Sequence, residues 1–183
     1  MIAYQHKEKH GEFKRDLIRG KKGEKIFLDH HREKGTEIIL ANSEEDKFAG
    51  IDFFLNKHSV QLKFEESYCR YQENINDKIK YTGNIAFELY SDCDRYVLGG
   101  HLTSKAEYII HLMGDYVALY FKANRLRKFL MEEIITKDNN YKCSYNISKS
   151  KGQKWHSKTV NITFDVLKEK KLLIKEEVIK KCE

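Results

Sequence analysis

Apolar and polar side chains alternate along Ile51-Asp52-Phe53-Phe54-Leu55 and again along Val60-Gln61-Leu62-Lys63-Phe64, the two-residue period of strands that pack one face. The polar stretch Asn56-Lys57-His58-Ser59 between them predicts a hairpin in which Leu55 pairs with Val60. In that register Phe54 faces Gln61 and Asp52 faces Lys63. Directly opposed residues lie roughly 5 Å apart in such a ladder, so an acid, an amide oxygen and an ammonium would share one side of the sheet.

The same reading extends over the rest of the chain. Phe13, Leu17, Ile18, Ile26, Phe27 and Leu28 punctuate a charged stretch over 11–33, which predicts one helix, or two broken near Gly20 and Gly23, with Gly35 as a left-handed cap. Residues 36–41 predict a strand returning beside the hairpin, and 65–80 a polar loop. The segment 84–91 predicts a strand with Ile85, Phe87 and Leu89 on one face and Asn84, Ala86, Glu88 and Tyr90 on the other, so that Glu88 joins Asp52 on the polar side. Gly99-Gly100 reads as a turn, after which Thr103 or Ser104 caps a helix through Leu112. The nearly continuous apolar run 116–121 reads as a buried strand. Asn124 is expected to cap a helix over 125–135 with a Leu126, Phe129, Leu130, Ile134 core stripe. Strands over 141–148 and 159–164, joined by the loop 149–156, and a charged amphipathic helix over 166–181 complete the chain. These elements predict a single α/β domain over 1–183. Its central mixed sheet of about five strands would be built from the Asp52 hairpin, the Asn84 strand and the Tyr116 strand, with helices on both faces.

The composition fits a globular chain of this kind. Of 183 residues 40% are hydrophobic and 34% charged, and the formal net charge is +6. With a mean hydropathy of −0.68 and a pI near 9.0, the chain is expected to be soluble and to favour a polyanionic partner. Cys69, Cys93, Cys143 and Cys182 are scattered without a C-x-x-C pair, and no secretory leader or long apolar run interrupts the domain. Reduced thiols, a cytoplasmic location and no membrane association are therefore expected. His6, His10, His30 and His31 lie in charged stretches and read as solvated. No P-loop, GxGxxG or Ser-His-Asp pattern supports nucleotide hydrolysis, dinucleotide chemistry or acyl hydrolysis.

Gly50-Ile51-Asp52, a short hairpin and Gln61-Leu62-Lys63 resemble the core of the PD-(D/E)xK nuclease superfamily. Residues Tyr81-Thr82-Gly83-Asn84-Ile85-Ala86-Phe87-Glu88 resemble the "TGN-hydrophobic-E" strand of its small phage and bacterial members, and Thr103-Ser104-Lys105-Ala106-Glu107-Tyr108 their "SxAD" helix start. The resemblance implies a restriction-endonuclease-like core and Mg²⁺- or Mn²⁺-dependent hydrolysis of phosphodiester bonds, with DNA as the expected substrate. Asp52, Gln61 and the Leu62 carbonyl would hold the ion. Glu24, in the first helix, would support it from the outer shell, with Glu12 as an alternative, and Lys63 would orient or activate the attacking water. The family carries Glu or Asp where Gln61 stands, and Glu88 could supply the missing carboxylate.

Candidate nucleic-acid contacts are Arg70, Lys78 and Lys80, interleaved with Tyr68, Tyr71 and Tyr81, together with Asn84, Lys105, Lys151, Lys154 and Trp155. Each also reads as an ordinary solvated or packed surface residue. Two other functions stay open: a nuclease-like fold that binds nucleic acid without cutting it, and a phage or mobile-element protein that engages another protein. A homodimer is compatible with all three.

Overall fold

In the computed structural model, which describes residues 13–65, 70–73, 79–82, 84–113, 117–137, 141–150 and 153–179, α1 (Phe13–Glu33) runs through Gly20 and Gly23 without a break. Gly23 is there for packing. A Cβ at this position would meet the Phe64 ring carbon Cγ at 2.3 Å, so the helix backbone rests directly on that side chain, whereas a Cβ at Gly20 would meet nothing within 4 Å. Gly35, at φ +70°, ends the helix as expected; its N–H donates to the Arg32 carbonyl and that of Thr36 to His31. His30 and His31, expected to be solvated, are buried at the end of α1.

The helix covers one face of a six-stranded mixed sheet. In spatial order this sheet holds β1 (Ile38–Leu40), β2 (Phe53–Leu55), β3 (His58–Glu65), β8 (Tyr108–Met113), β9 (Val117–Lys122) and β12 (Leu173–Val178). All neighbours are antiparallel except β3 and β8, which run parallel. The strand expected over 36–41 is β1. The hairpin turn is tighter than expected: Asn56 and Lys57 alone make it, with φ of 46° and 72°, as a two-residue type I′ turn requires. Leu55 therefore pairs with His58 and Phe53 with Val60, a register two residues away from the Leu55–Val60 pairing. Asp52 consequently does not face Lys63 across the ladder.

The Asn84 strand is the larger correction. As β6 (Asn84–Asp92) it belongs to a second, four-stranded sheet with β10 (Cys143–Ser150), β11 (Gln153–Thr163) and β7 (Val97–Leu98). The place beside β3 is taken by Tyr108–Met113, a segment expected to be helical. Its run Tyr-Ile-Ile-His-Leu-Met is short, apolar and rich in β-branched residues, which suits a strand buried on both faces. Only a four-residue helix, α2 (Gly100–Thr103), precedes it. The helix expected over 166–181 is likewise split. Helix α4 (Phe164–Glu169) stops where Lys171 turns left-handed at φ 53°, and β12 follows at the sheet edge. A small hairpin, β4 (Arg70–Glu73) with β5 (Ile79–Thr82), stands in the region expected to be a polar loop. Most of the expected loop 149–156 is ladder, with Lys149 opposite Lys154 and Ser148 opposite Trp155. Helix α3 (Ala123–Phe129), continued by a π-turn over Leu130–Ile135, matches its expected stripe.

Alternation along β3 and β8 distributes two cores. Val60, Ile110 and Leu112 join Phe27, Leu28, Phe53, Leu55, Ala118 and Ile179 under α1. Ile109 and Met113 face the other way, toward Ile85, Phe87 and Leu89 of β6, Leu119 and Phe121 of β9, Leu126 and Leu130 after β9, and Val160 and Ile162 of β11. The protein is thus α/β, with a mixed sheet between a helix on one side and a second sheet with α3 on the other. No helix among the described residues is long and apolar enough to cross a membrane.

Gly20 and Gly23 give a matched test of this packing. Gly23→Ala forces its methyl group into Phe64 and is expected to lower the unfolding free energy by about 1–3 kcal/mol. Gly20→Ala, in the same helix and in open space, is expected to raise it by about 0.5–1 kcal/mol. Urea denaturation of the two variants reads both; equal effects would show that α1 does not lie on β3 in this way.

Candidate active site

On the face of the six-stranded sheet opposite α1, β3 turns a polar side chain inward at every second position. Gln61, Lys63 and Glu65 alternate with the apolar residues under the helix, and the parallel pairing sets Lys63 beside His111 and Gln61 beside Ile109. Three side-chain ends meet around Gly100 at the start of α2. A Cβ on Gly100 would lie 3.3 Å from Lys63 Nζ, 3.5 Å from Gln61 Nε2 and 3.8 Å from Glu88 Oε2. Glu88 reaches this point from the second sheet, and its Oε2 accepts the Gly100 N–H at 2.8 Å. Gly99 makes the approach feasible, because a Cβ there would lie within 2.9 Å of Glu88 side-chain and backbone atoms.

Asp52 arrives from the other side of β3. Its N–H donates to the Val60 carbonyl at 2.8 Å, and its Oδ2 accepts the Leu62 N–H at 2.6 Å. Burial pushes the Asp52 carboxyl above its ordinary range. The Leu62 N–H and the Lys63 charge pull it back, and the neighbouring acids Asp46 and Glu24 push it up again. Leu62 presents its N–H toward Asp52, and in an extended strand its carbonyl points to the same side. The Gly50 backbone just before Asp52 is left-handed, at φ 60°, and its carbonyl accepts the Ser104 hydroxyl at 2.8 Å. Gln61 is buried, and its Oε1 has no hydrogen-bond donor among the described residues. An orphaned buried acceptor costs about 1–3 kcal/mol and is a strong sign of a missing partner.

Behind this cluster runs a buried chain that fixes its own protonation. The Glu88 N–H donates to His101 Nδ1 at 3.0 Å, so that nitrogen carries a lone pair and the ring proton sits on Nε2. His101 Nε2 then donates to His111 Nε2 at 2.9 Å, which leaves His111 its proton on Nδ1 to donate to Glu65 Oε1 at 2.8 Å. Both rings are thus neutral hydrogen-bond relays with no lone pair left for a metal ion. Burial holds His101 well below its ordinary pKa, with His111 and Lys63 adding to the effect. The second carboxylate oxygen of Glu65 is buried without a donor.

Comparison of the chain with protein-family models, curated proteins and solved structures gives no match. The site therefore rests on its own geometry.

Gln61, Lys63 and Glu88 come together at Gly100, although Glu88 does so from a separate sheet, and Asp52 adjoins them through the Leu62 N–H; Glu24 belongs to α1, the helix on the opposite face of the sheet. The other candidates disperse. Lys105, expected early in a helix, lies in the extended link between α2 and β8, with its N–H on the Ala49 carbonyl, beside the Gly50–Asp52 segment. Asn84 and Trp155 lie four residues to either side of the level of Glu88, since Thr159 pairs with Glu88 and Thr163 with Asn84. That spacing corresponds to roughly 13 Å along a strand. Lys154 is one residue farther. Arg70 and Lys80 occupy β4 and β5, and Lys78, Lys151 and Glu12 lie outside the described residues. Ser104, expected as a helix cap, instead donates its hydroxyl to the Gly50 carbonyl, and His101, His111 and Glu65 were not expected from the sequence. Their only local signal was a histidine in an otherwise apolar segment; what joins them is the pairing of distant strands.

The neutral histidines give this site a pH signature. Between about pH 6.5, where unfolded histidine protonates, and more acidic values, the unfolded chain takes up a proton that folded His101 refuses. Stability should therefore fall with falling pH across that window. Burial also holds His31 down, at about 4, so it contributes in the same range. His101→Gln should flatten the dependence of the urea midpoint on pH between about 6.5 and 4.5 without abolishing it, and an unchanged slope would contradict the neutral relay.

Proposed function

We propose that the chain is a metal-dependent nuclease that hydrolyses phosphodiester bonds, with DNA as substrate, on a restriction-endonuclease-like core. The observation that carries this reading is the convergence of the Gln61, Lys63 and Glu88 side-chain ends at Gly100, with the half-buried Asp52 carboxylate held against Leu62. An ammonium and a carboxylate at one point, with the Gln61 amide reaching it through Nε2, form a site for a phosphate, and the carboxylate oxygens of Glu88 and Asp52 suit a hard cation. The net charge of +6 supports a polyanionic substrate.

The oxygen donors fit Mg²⁺ or Mn²⁺: the Asp52 carboxylate, the orphaned Gln61 Oε1 and the Leu62 carbonyl are the hard ligands such ions prefer, with Glu88 as a further carboxylate and Glu24 behind Asp52. When bound, the ion supplies charge neutralisation at the phosphate and a more acidic water. The residues do the rest. Lys63 holds a phosphate oxygen and steadies the charge that develops on it, Gly100 leaves room for the substrate to approach, and Asp52, held by the Leu62 N–H, would turn its other carboxylate oxygen to the ion. With Gln61 where a carboxylate would serve better, the ion would be held more weakly unless Glu88 supplies the second charge.

A second reading, a nuclease-like fold that binds nucleic acid without cutting it, draws support from the donor set. Among the described residues, no three His, Cys, Asp or Glu side chains are grouped to hold a metal ion. Plasmid, linear duplex and single-stranded circles incubated with and without Mg²⁺ or Mn²⁺ separate the two, because only the first reading gives metal-dependent cutting.

Lys63→Ala is expected to fold normally and to lose cleavage; wild-type rates would remove the site. Gln61→Glu restores a charge that, about 4 Å from the ion, is worth roughly 4 kcal/mol per unit of ion charge at an effective dielectric near 20, before desolvation is subtracted. It should lower the metal concentration for half-maximal cleavage. If Glu88 already supplies that charge, Glu88→Ala should be the more damaging change. Affinity for DNA should fall by orders of magnitude between about 50 and 200 mM salt; a flat response would exclude binding through the phosphates.

A further inference from the structure

On the α1 side of the sheet, away from Lys63 and Gly100, lies a cavity of about 450 Å³ that none of this chemistry uses. Its size lies within the range of small-molecule sites. The floor is apolar, formed by Leu55, Val60 and the Tyr108 and Tyr120 side chains, with Ile174 as a wall, and Lys34 and Lys175 stand at its edge.

The polar groups around it leave a defined surplus. Glu177 of β12 is buried, and both its oxygens are occupied. Oε1 accepts Lys34 Nζ at 2.7 Å and lies 3.5 Å from His30 Nε2; Oε2 accepts the Tyr120 hydroxyl at 2.5 Å and Lys175 Nζ at 2.8 Å. Because Tyr120 donates to Glu177, its oxygen accepts from His31 Nε2 at 3.0 Å, while His31 Nδ1 accepts the Thr36 hydroxyl at 3.3 Å. Burial holds His31 down at about 4, so this ring is neutral. Two ammoniums against one carboxylate leave at least one positive charge. Each lysine has three N–H donors and gives one to Glu177, and about half of each lysine side chain is open to solvent. At the far rim Glu107 is matched by Lys122 at 2.6 Å and bonded to His58 at 2.7 Å, so it adds no unpaired negative charge.

We propose that this cavity binds a small aromatic monoanion, with its ring on the floor of Leu55, Val60 and Tyr108 and its acidic group on the spare donors of Lys34 and Lys175. A cation finds no free acceptor on Glu177. A neutral ring leaves the surplus charge unanswered, and a bare inorganic anion leaves the apolar floor wet.

Calorimetric titration of the full chain with 2-naphthalenesulfonate tests this, with inorganic sulfate and 2-naphthalenemethanol as the two halves of the probe. The aromatic sulfonate should bind at least tenfold more tightly than either half. Lys175→Gln, which leaves Lys34 to partner Glu177, should weaken it severalfold. Ile174→Glu sets a like charge on the exposed wall without touching the Glu177 network and should weaken it at least tenfold, whereas Met131→Glu, an exposed apolar position on the turn after α3, should leave it unchanged. No binding at millimolar probe, sulfate binding as tightly as the aromatic sulfonate, or indifference to Ile174→Glu would each overturn the proposal. None of these outcomes depends on whether the chain cuts DNA.

Discussion

The parallel pairing of β3 with β8 is the constraint on which both halves of the molecule depend. A parallel neighbour cannot be reached by a turn; the chain must leave the sheet and return. In doing so it lays down the β4–β5 hairpin, β6, β7 and α2 before β8 closes against β3. That excursion carries Glu88, Gly99, Gly100 and His101 over the face on which Gln61, Lys63 and Glu65 project. Without the pairing, Lys63 and Glu88 would belong to unrelated strands.

A strand buried on both faces normally reads as a continuous apolar run, and β3 departs from this at Gln61, Lys63 and Glu65. Glu65 is answered by His111, which is held in turn by His101 and the Glu88 N–H. The chain of donors has one consistent direction, so each link fixes the next. Gln61 is not answered in this way: its oxygen has no donor among the described residues, while its Nε2 reaches Gly100, where the layers part. Buried polar groups that are satisfied specify a structure; the ones left over point to what the site receives.

The opposite face applies the same physics to another end. Glu177 sits on the edge strand β12 and gathers His30 from α1, Lys34 from the turn just after it and Tyr120 from β9. The helix, the sheet edge and a central strand are thereby tied at a single carboxylate. This network anchors the end of α1 while Gly23 sets its height above Phe64, and the cavity lies beside the anchor.

Local chemistry in the sequence determined the hairpin and its polar edge, the left-handed cap at Gly35, the β1 strand, the apolar β9 and the stripe of α3, because periodicity, turn residues and cap glycines act over a few residues. The candidates Asp52, Gln61 and Lys63 were legible for the same reason. The tertiary structure decided the rest. The two-residue turn moved the hairpin register, since Asn56 and Lys57 adopt positive φ that neither residue demands by itself. Tyr108–Met113 and Leu173–Val178 became strands because sheet neighbours were available to complete their ladders, which a helix-compatible pattern of apolar residues does not reveal. The assignment of β6 to a second sheet, the meeting of Glu88 with Lys63, and the relay of Glu65, His111 and His101 depend on contacts between segments tens of residues apart, and such contacts leave no period in a single sequence.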